Sequence, residues 1–175
     1  MFKLISRTVL LAAFVSTQAM AAEPATPAPA TAAPETAPVP VYELALAPGW
    51  SNWSWAKTDL SVELKGSARK PIKVAAGPYQ ALYLQHAAFT THGLKQISLL
   101  IQGSAPDGAV KLLTLTDGKV NGDGKLIALS NTGWTKVVMP LVTLDAEDKL
   151  IDGIWLQNPT GVDLPHFYVT EIRIE

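Results

Sequence analysis

The chain of 175 residues contains no cysteine. That excludes a disulfide framework, a thiolate nucleophile and a lipid-anchoring cysteine behind a leader. Long apolar runs are also missing. The one conspicuous stretch, Thr8 to Ser16, is far short of the ~20 residues a membrane-spanning helix needs. No glycine-rich loop opens a helix, so a nucleotide-phosphate cradle is excluded. The three histidines, His86, His92 and His166, stand apart without a metal-ligand spacing, and His86 reads as a structural residue closing a strand. No serine sits in a G-x-S-x-G context. Charges are scattered singly, with no basic cluster to recommend nucleic acid or an anionic membrane as partner.

What is present divides the chain into three. Lys3 and Arg7 precede and flank the short apolar run, and Ala19-Met20-Ala21 fits a signal-peptidase site, so residues 1–21 are expected to be an export signal. Without Lys3 and Arg7 the chain has twelve basic and fifteen acidic residues, a formal charge near −3. Residues 22–40 hold only Ala, Glu, Pro, Thr and Val, with prolines at 24, 27, 29, 34, 38 and 40. Such spacing favours extended polyproline backbone, and this linker would reach roughly 50–60 Å at ~3.1 Å per residue. Residues 41–175 are long enough for one domain with its own core. A cysteine-free exported domain fits the bacterial periplasm or exterior.

Beyond Pro40 the pattern is all-β. Short runs rich in Val, Ile, Leu, Tyr and Thr are cut by Gly, Asn, Asp and Pro clusters, as in a sandwich or barrel. Strands are expected near 42–46, 52–55, 60–64, 72–75, 81–86, 97–102, 110–116, 126–129, 135–141, 151–157 and 167–174, with at most one helical turn in 144–150. Alternation puts Leu82 and Leu84 opposite Tyr83 and Gln85; Ile97, Leu99 and Ile101 opposite Ser98, Leu100 and Gln102; and Ile154 and Leu156 opposite Trp155 and Gln157. The aliphatic sets predict an inter-sheet core. The other faces place aromatics beside long amides. If those strands share a sheet, Tyr83, Gln85, Gln102, Trp155 and Gln157 line one surface suited to a sugar ring, whose C–H face meets aromatics and whose hydroxyls meet amides.

Three of the five tryptophans fall in Trp50-Ser-Asn-Trp53-Ser-Trp55. In extended backbone Trp53 and Trp55 point one way and Trp50 the other. Burial in the core is the favoured expectation for Trp53, Trp55, Trp134 and Tyr168. Trp50, on a loop beside Pro48-Gly49, joins Tyr83 and Trp155 as a candidate ligand ring.

Several segments occur in a fixed order: Tyr42-x-Leu44, Gly49-Trp50-x-x-Trp53-Ser54-Trp55-Ala56, Tyr79-x-Ala81-Leu82-Tyr83-Leu84, Trp134-Thr135-x-Val137-x-Met139-Pro140-Leu141, Ile151-x-Gly153-Ile154-Trp155-Leu156-Gln157-Asn158 and Phe167-Tyr168-Val169-x-x-Ile172. The succession resembles the galactose-binding-like jelly-roll domains found as carbohydrate-binding modules in secreted bacterial proteins. The resemblance implies a two-sheet jelly-roll β-sandwich, a polysaccharide or oligosaccharide partner and no catalysis. Where that family often carries paired aspartates that help hold a structural calcium, this chain has Thr170 and Glu171, which counts against the ion. No other cofactor is implied. The expected function is thus an exported, non-catalytic domain binding neutral glycan, of periplasmic or secreted location. The alternative is a structural domain that binds other envelope proteins, since one scaffold hosts many functions.

Overall fold

The computed structural model describes residues 36–175. The expected export signal and most of the proline-rich linker lie outside the described residues. Twelve strands follow one another: β1 (Val39–Tyr42), β2 (Ser51–Asn52), β3 (Lys57–Asp59), β4 (Ile72–Ala75), β5 (Ala81–Thr90), β6 (Gln96–Gly103), β7 (Ala109–Thr116), β8 (Lys119–Val120), β9 (Lys125–Ala128), β10 (Thr135–Pro140), β11 (Leu150–Gln157) and β12 (Phe167–Ile174). A 3₁₀ turn, Leu141–Leu144, separates β10 from β11. No helix among the described residues is long and apolar enough to cross a membrane.

The strands form two antiparallel sheets. The first has the order β10-β6-β12-β4-β3, with β1 also paired to β12. The second runs β2-β5-β11-β7-β8, with β9 also paired to β7. Period-two alternation drives the packing. From the second sheet, Leu82, Leu84, Leu112, Ile154 and Leu156 are buried, and from the first so are Ile72, Val74, Ile97, Leu99, Ile101, Phe167 and Val169. They join in one core. Each such side chain contributes about 1.5–3 kcal/mol by leaving water, and the alternate residues of β5 and β11 are thereby turned outward.

Three early strands are shifted from their expected places. β1 starts at Val39, inside the segment expected to be linker, and Pro40 pairs with Arg173. Proline is tolerated because this strand lies off the main path of the sheet, where the missing N–H breaks no continuous ladder. Tyr42 ends β1 because its phenol is used locally: it donates to the Lys70 carbonyl at 2.7 Å and accepts from the Ser61 N–H at 3.0 Å. That contact holds residues 60–64 in a turn, with Ser61 at φ 59°, so the strand expected there is replaced by β3 upstream. β8 pairs with β7 across Asp117-Gly118, both at positive φ, the geometry of a primed two-residue hairpin.

Asn158 fixes the end of the sandwich nearest the outward-facing rings. It is fully buried, and its amide donates to the carbonyls of Ala76, Gly77 and Val162. Its oxygen accepts from the Thr160 N–H and hydroxyl. One side chain thus joins the β4–β5 and β11–β12 loops. Asn158→Ala would strand several backbone groups at a cost of about 1–3 kcal/mol for each one left unsatisfied. Chemical denaturation is expected to show a loss of roughly 3 kcal/mol with the all-β spectrum retained.

Candidate functional site

On the outer face of the second sheet, Tyr83 of β5 stands directly opposite Trp155 of β11. Their centroids are 5.7 Å apart with planes at 77°. Trp53 approaches Tyr83 edge-on at 6.0 Å, and Trp55 approaches Trp155 edge-on at 4.8 Å. The four rings form a continuous row, Trp53–Tyr83–Trp155–Trp55. Each contact is edge-to-face, an arrangement worth about 0.5–1.5 kcal/mol beyond area burial. Tyr83 and Trp155 are half-buried at the centre, whereas Trp53 and Trp55 are 60% and 43% exposed. The expectation that Trp53 and Trp55 pack in the core is therefore corrected: they are the two rings of the row most open to solvent.

The backbone around them explains why. Trp53 to Ala56 leave regular strand geometry but stay docked on β5 through Trp53 N–H to the Tyr83 carbonyl at 2.9 Å and Ala56 N–H to the Ala81 carbonyl at 3.1 Å. Ser54 accepts from the Tyr83 N–H at 2.9 Å and donates its hydroxyl to Asn52. Asn52 also accepts from the Ser54 N–H at 3.2 Å and donates to Thr58 at 2.9 Å. The polar residues of Asn52-Trp53-Ser54-Trp55 thus turn inward to the backbone, and the indoles are left outside. An Asn two residues before Ser, which makes such local bonds, was the available sequence signal.

Trp50 faces the opposite way. It is 6% exposed and packs against His86 at 5.0 Å and Phe89 at 6.0 Å. Its expected role as a ligand ring is corrected: it fastens the approach to β2 onto β5. His86, whose Nδ1 lies 2.6 Å from the Ala87 carbonyl, belongs to the same packing. Gln102 is corrected too. It lies on β6 in the first sheet, paired with Tyr168, and so does not share the face of Tyr83 and Trp155. Gln85 and Gln157 do. Gln85 donates to the His86 carbonyl at 2.8 Å, and Gln157 to the Tyr79 carbonyl at 3.1 Å. Tyr168 and Trp134 are half-buried at the first sheet, Trp134 with the Arg69 guanidinium 6.0 Å from its ring centre.

Beneath the row, Gly153 sits at a bulge in β11. A Cβ there would lie 2.5 Å from the Tyr83 ring and 3.1 Å from the Leu84 carbonyl. Only glycine lets the phenol lie across this strand. Asp152, in the bulge, accepts from the Gly118 N–H at 2.9 Å. Its other oxygen and the Trp155 indole nitrogen are buried without a hydrogen-bond partner among the described residues. Burial, and secondarily the Asp152 carboxylate, push the Tyr83 phenol above the ordinary tyrosine range.

The outer face of the first sheet has a different chemistry. A groove of about 460 Å³ is lined by Glu43, Leu44, Arg69, Thr170, Glu171 and Arg173. Its charges pair internally, Arg69 with Glu171 and Arg173 with Glu43, each at 2.7 Å. Thr170 donates to the Glu43 carbonyl at 2.8 Å. Thr170 and Glu171, the positions weighed for calcium, are thus both engaged with the protein. No group of three His, Cys, Asp or Glu among the described residues is placed to hold a metal ion.

Two outcomes follow for the row. Gly153→Ala is expected to displace the Tyr83 ring, read as an altered near-ultraviolet dichroism of the coupled rings with unchanged far-ultraviolet signal. Tyr83→Phe is expected to remove a tyrosinate component titrating above the ordinary tyrosine range. Because the folded phenol holds its proton more tightly than the unfolded one, its contribution to stability is present below the unfolded value and lost as pH rises through the folded one. Tyr83→Phe should therefore lessen the alkaline fall in melting temperature.

Comparison with known proteins supports the architecture. No family model matches the chain. No curated protein matches it by sequence. Among solved structures, a mutant of the family 29 carbohydrate-binding module CBM29-2 is similar at TM-score 0.60 and 15% identity, covering 80% of this chain and 92% of that one. A second CBM29-2 mutant, complexed with cellulohexaose, is similar at TM-score 0.60 and 15% identity over 79% of this chain and 89% of that one. A third, complexed with mannohexaose, has TM-score 0.57 and 15% identity over 79% and 90%. At this identity the likeness shows the fold alone, and the two antiparallel sheets fit it: the domain has the jelly-roll β-sandwich fold of these structures.

Proposed function

We propose that this domain is a non-catalytic carbohydrate-binding domain that holds neutral polysaccharide on the outer face of its second sheet. The observation that carries the proposal is the row Trp53–Tyr83–Trp155–Trp55, with its outer indoles open to solvent and Gln85 and Gln157 beside it. Aromatic faces provide apolar surface for the C–H side of a pyranose, and carboxamides provide orientation. The structures of the same fold complexed with cellulohexaose and mannohexaose lend support, since both ligands are chains of uncharged hexoses.

Binding chemistry suits this face better than hydrolysis. Glycosidases place two carboxyl groups across the scissile bond, one as acid and one as base or nucleophile. Here the row is built of rings and amides, and the carboxylate beside it, Asp152, is bonded to a turn. The export signal expected in residues 1–21 would deliver the domain to the periplasm or beyond, on a tether suited to sampling a surface.

The roles divide within the row. Trp53 and Trp55 contact the sugar, and Tyr83 and Trp155 hold them upright by their edges. Trp53→Ala or Trp55→Ala is expected to cost about 2 kcal/mol of binding, roughly 30-fold in affinity, with little change in stability. Trp155→Ala and Tyr83→Ala should weaken binding through loss of support. Affinity electrophoresis against a panel of neutral glycans measures this. Absence of retardation on every glycan would overturn the proposal and favour an envelope-protein partner, which pull-down from envelope extract would then identify.

A further inference from the structure

We propose that the outer face of the first sheet holds a second binding site, for a sugar chain that carries carboxylates, separate from the ring row of the second sheet. It does not depend on the neutral-glycan reading above. Register draws one line of side chains straight across the first sheet. Lys73 of β4 lies opposite Asp59 of β3 and opposite Tyr168 of β12, and Tyr168 lies opposite Gln102 of β6. The β6–β10 ladder begins at Ile101 and Thr135, so one step beyond it Trp134 stands level with Gln102. Ile72, Val74, Phe167, Val169 and Ile101 are buried, which turns Lys73, Tyr168 and Gln102 outward. The line crosses five strands, roughly 19 Å at ~4.8 Å per strand, room for more than one pyranose ring.

Each ring on this line has a cation beside it. Lys73 is the direct cross-strand neighbour of Tyr168, and the Arg69 guanidinium is 6.0 Å from the Trp134 ring centre. Gln102 stands between the two rings. Both are half-buried, so part of each stays open to solvent, and His166 steadies Tyr168 edge-on at 5.4 Å. The cations are not spent on the protein. Lys57 and Lys73, which line a hollow with Asp59, enter no ion pair among the described residues. Arg69 donates to Glu171 through Nε at 2.7 Å, and its two Nη groups have no hydrogen-bond partner among the described residues. A guanidinium with donors in reserve is suited to paired bonds with a second carboxylate. A uronic sugar offers what this pattern asks for. It has an apolar C–H face for the ring, hydroxyls for the carboxamide and a carboxylate for the cation. A neutral sugar would make no use of the cations, and an acidic peptide backbone would make none of the rings.

The test is calorimetric titration of the protein with hexagalacturonate, its methyl ester, hexaglutamate and cellohexaose. Hexagalacturonate is expected to bind, with an affinity that falls as salt is raised. The ester, which has no carboxylates, and hexaglutamate, which has no sugar rings, should each bind about tenfold more weakly. Arg69→Gln and Arg69→Lys should each lose about tenfold on hexagalacturonate, the second because an ammonium keeps the charge but not the planar fork. Neither should alter the melting temperature or the affinity for cellohexaose, since the Arg69–Glu171 pair is exposed. Gln102→Ala should lose roughly fivefold on hexagalacturonate. The site is overturned if hexagalacturonate does not bind, if hexaglutamate binds equally well, or if Trp53→Ala weakens hexagalacturonate binding and Arg69→Gln does not. Binding of hexagalacturonate without binding of cellohexaose would overturn the neutral-glycan proposal and leave this site standing.

Discussion

The contact between Tyr83 and Trp155 across the β5–β11 ladder is what the rest of the site depends on. It exists because the two residues are in direct register, both on strands whose alternate side chains fill the core. A one-residue slip would turn both rings inward and carry Leu84 and Ile154 to solvent. The contact also needs Gly153, since any side chain there would collide with the phenol. Once the central pair is set, Trp53 and Trp55 have rings to lean on.

The site is therefore stiff before a ligand arrives. Asn52 and Ser54 bond the Trp53–Trp55 segment to its own backbone and to β5, and Asn158 bonds the neighbouring loops together. Stiffness matters for sugars, because a flat apolar contact and a few amide bonds provide modest energy that loop ordering would easily cancel. The two faces of the sandwich also divide their chemistry. The second sheet presents rings and uncharged amides, whereas the first presents arginines and glutamates neutralising one another. A neutral polymer is suited to the former and gains little from the latter.

Much of this was legible in the chain before any coordinates. The aliphatic alternation of β5, β6 and β11 gave the two-sheet core, and the outward placement of Tyr83, Gln85, Trp155 and Gln157 followed from it. Strand order did not, because periodicity assigns a residue to a face but not to a sheet, and so Gln102 was grouped with residues it never meets. The tryptophan cluster misled in two directions. Extended geometry correctly separated Trp50 from Trp53 and Trp55, but nothing local to the segment says which side is the core. That was decided by Tyr83, thirty residues on, and by the inward bonds of Asn52 and Ser54. Similarly, Pro40 suggested linker because its cost in a strand depends on whether the strand is central, which is a tertiary fact.

The central claim is that solvent-facing indoles on one sheet meet the sugar. It is tested most directly by heteronuclear NMR of the tryptophan indole N–H groups during titration with cellohexaose or mannohexaose, after assignment by single substitutions. The account predicts that the signals of Trp53, Trp55 and Trp155 move with added ligand while those of Trp50 and Trp134 stay in place. Movement confined to Trp134, beside the ion-paired face, or no movement of any indole, would contradict it.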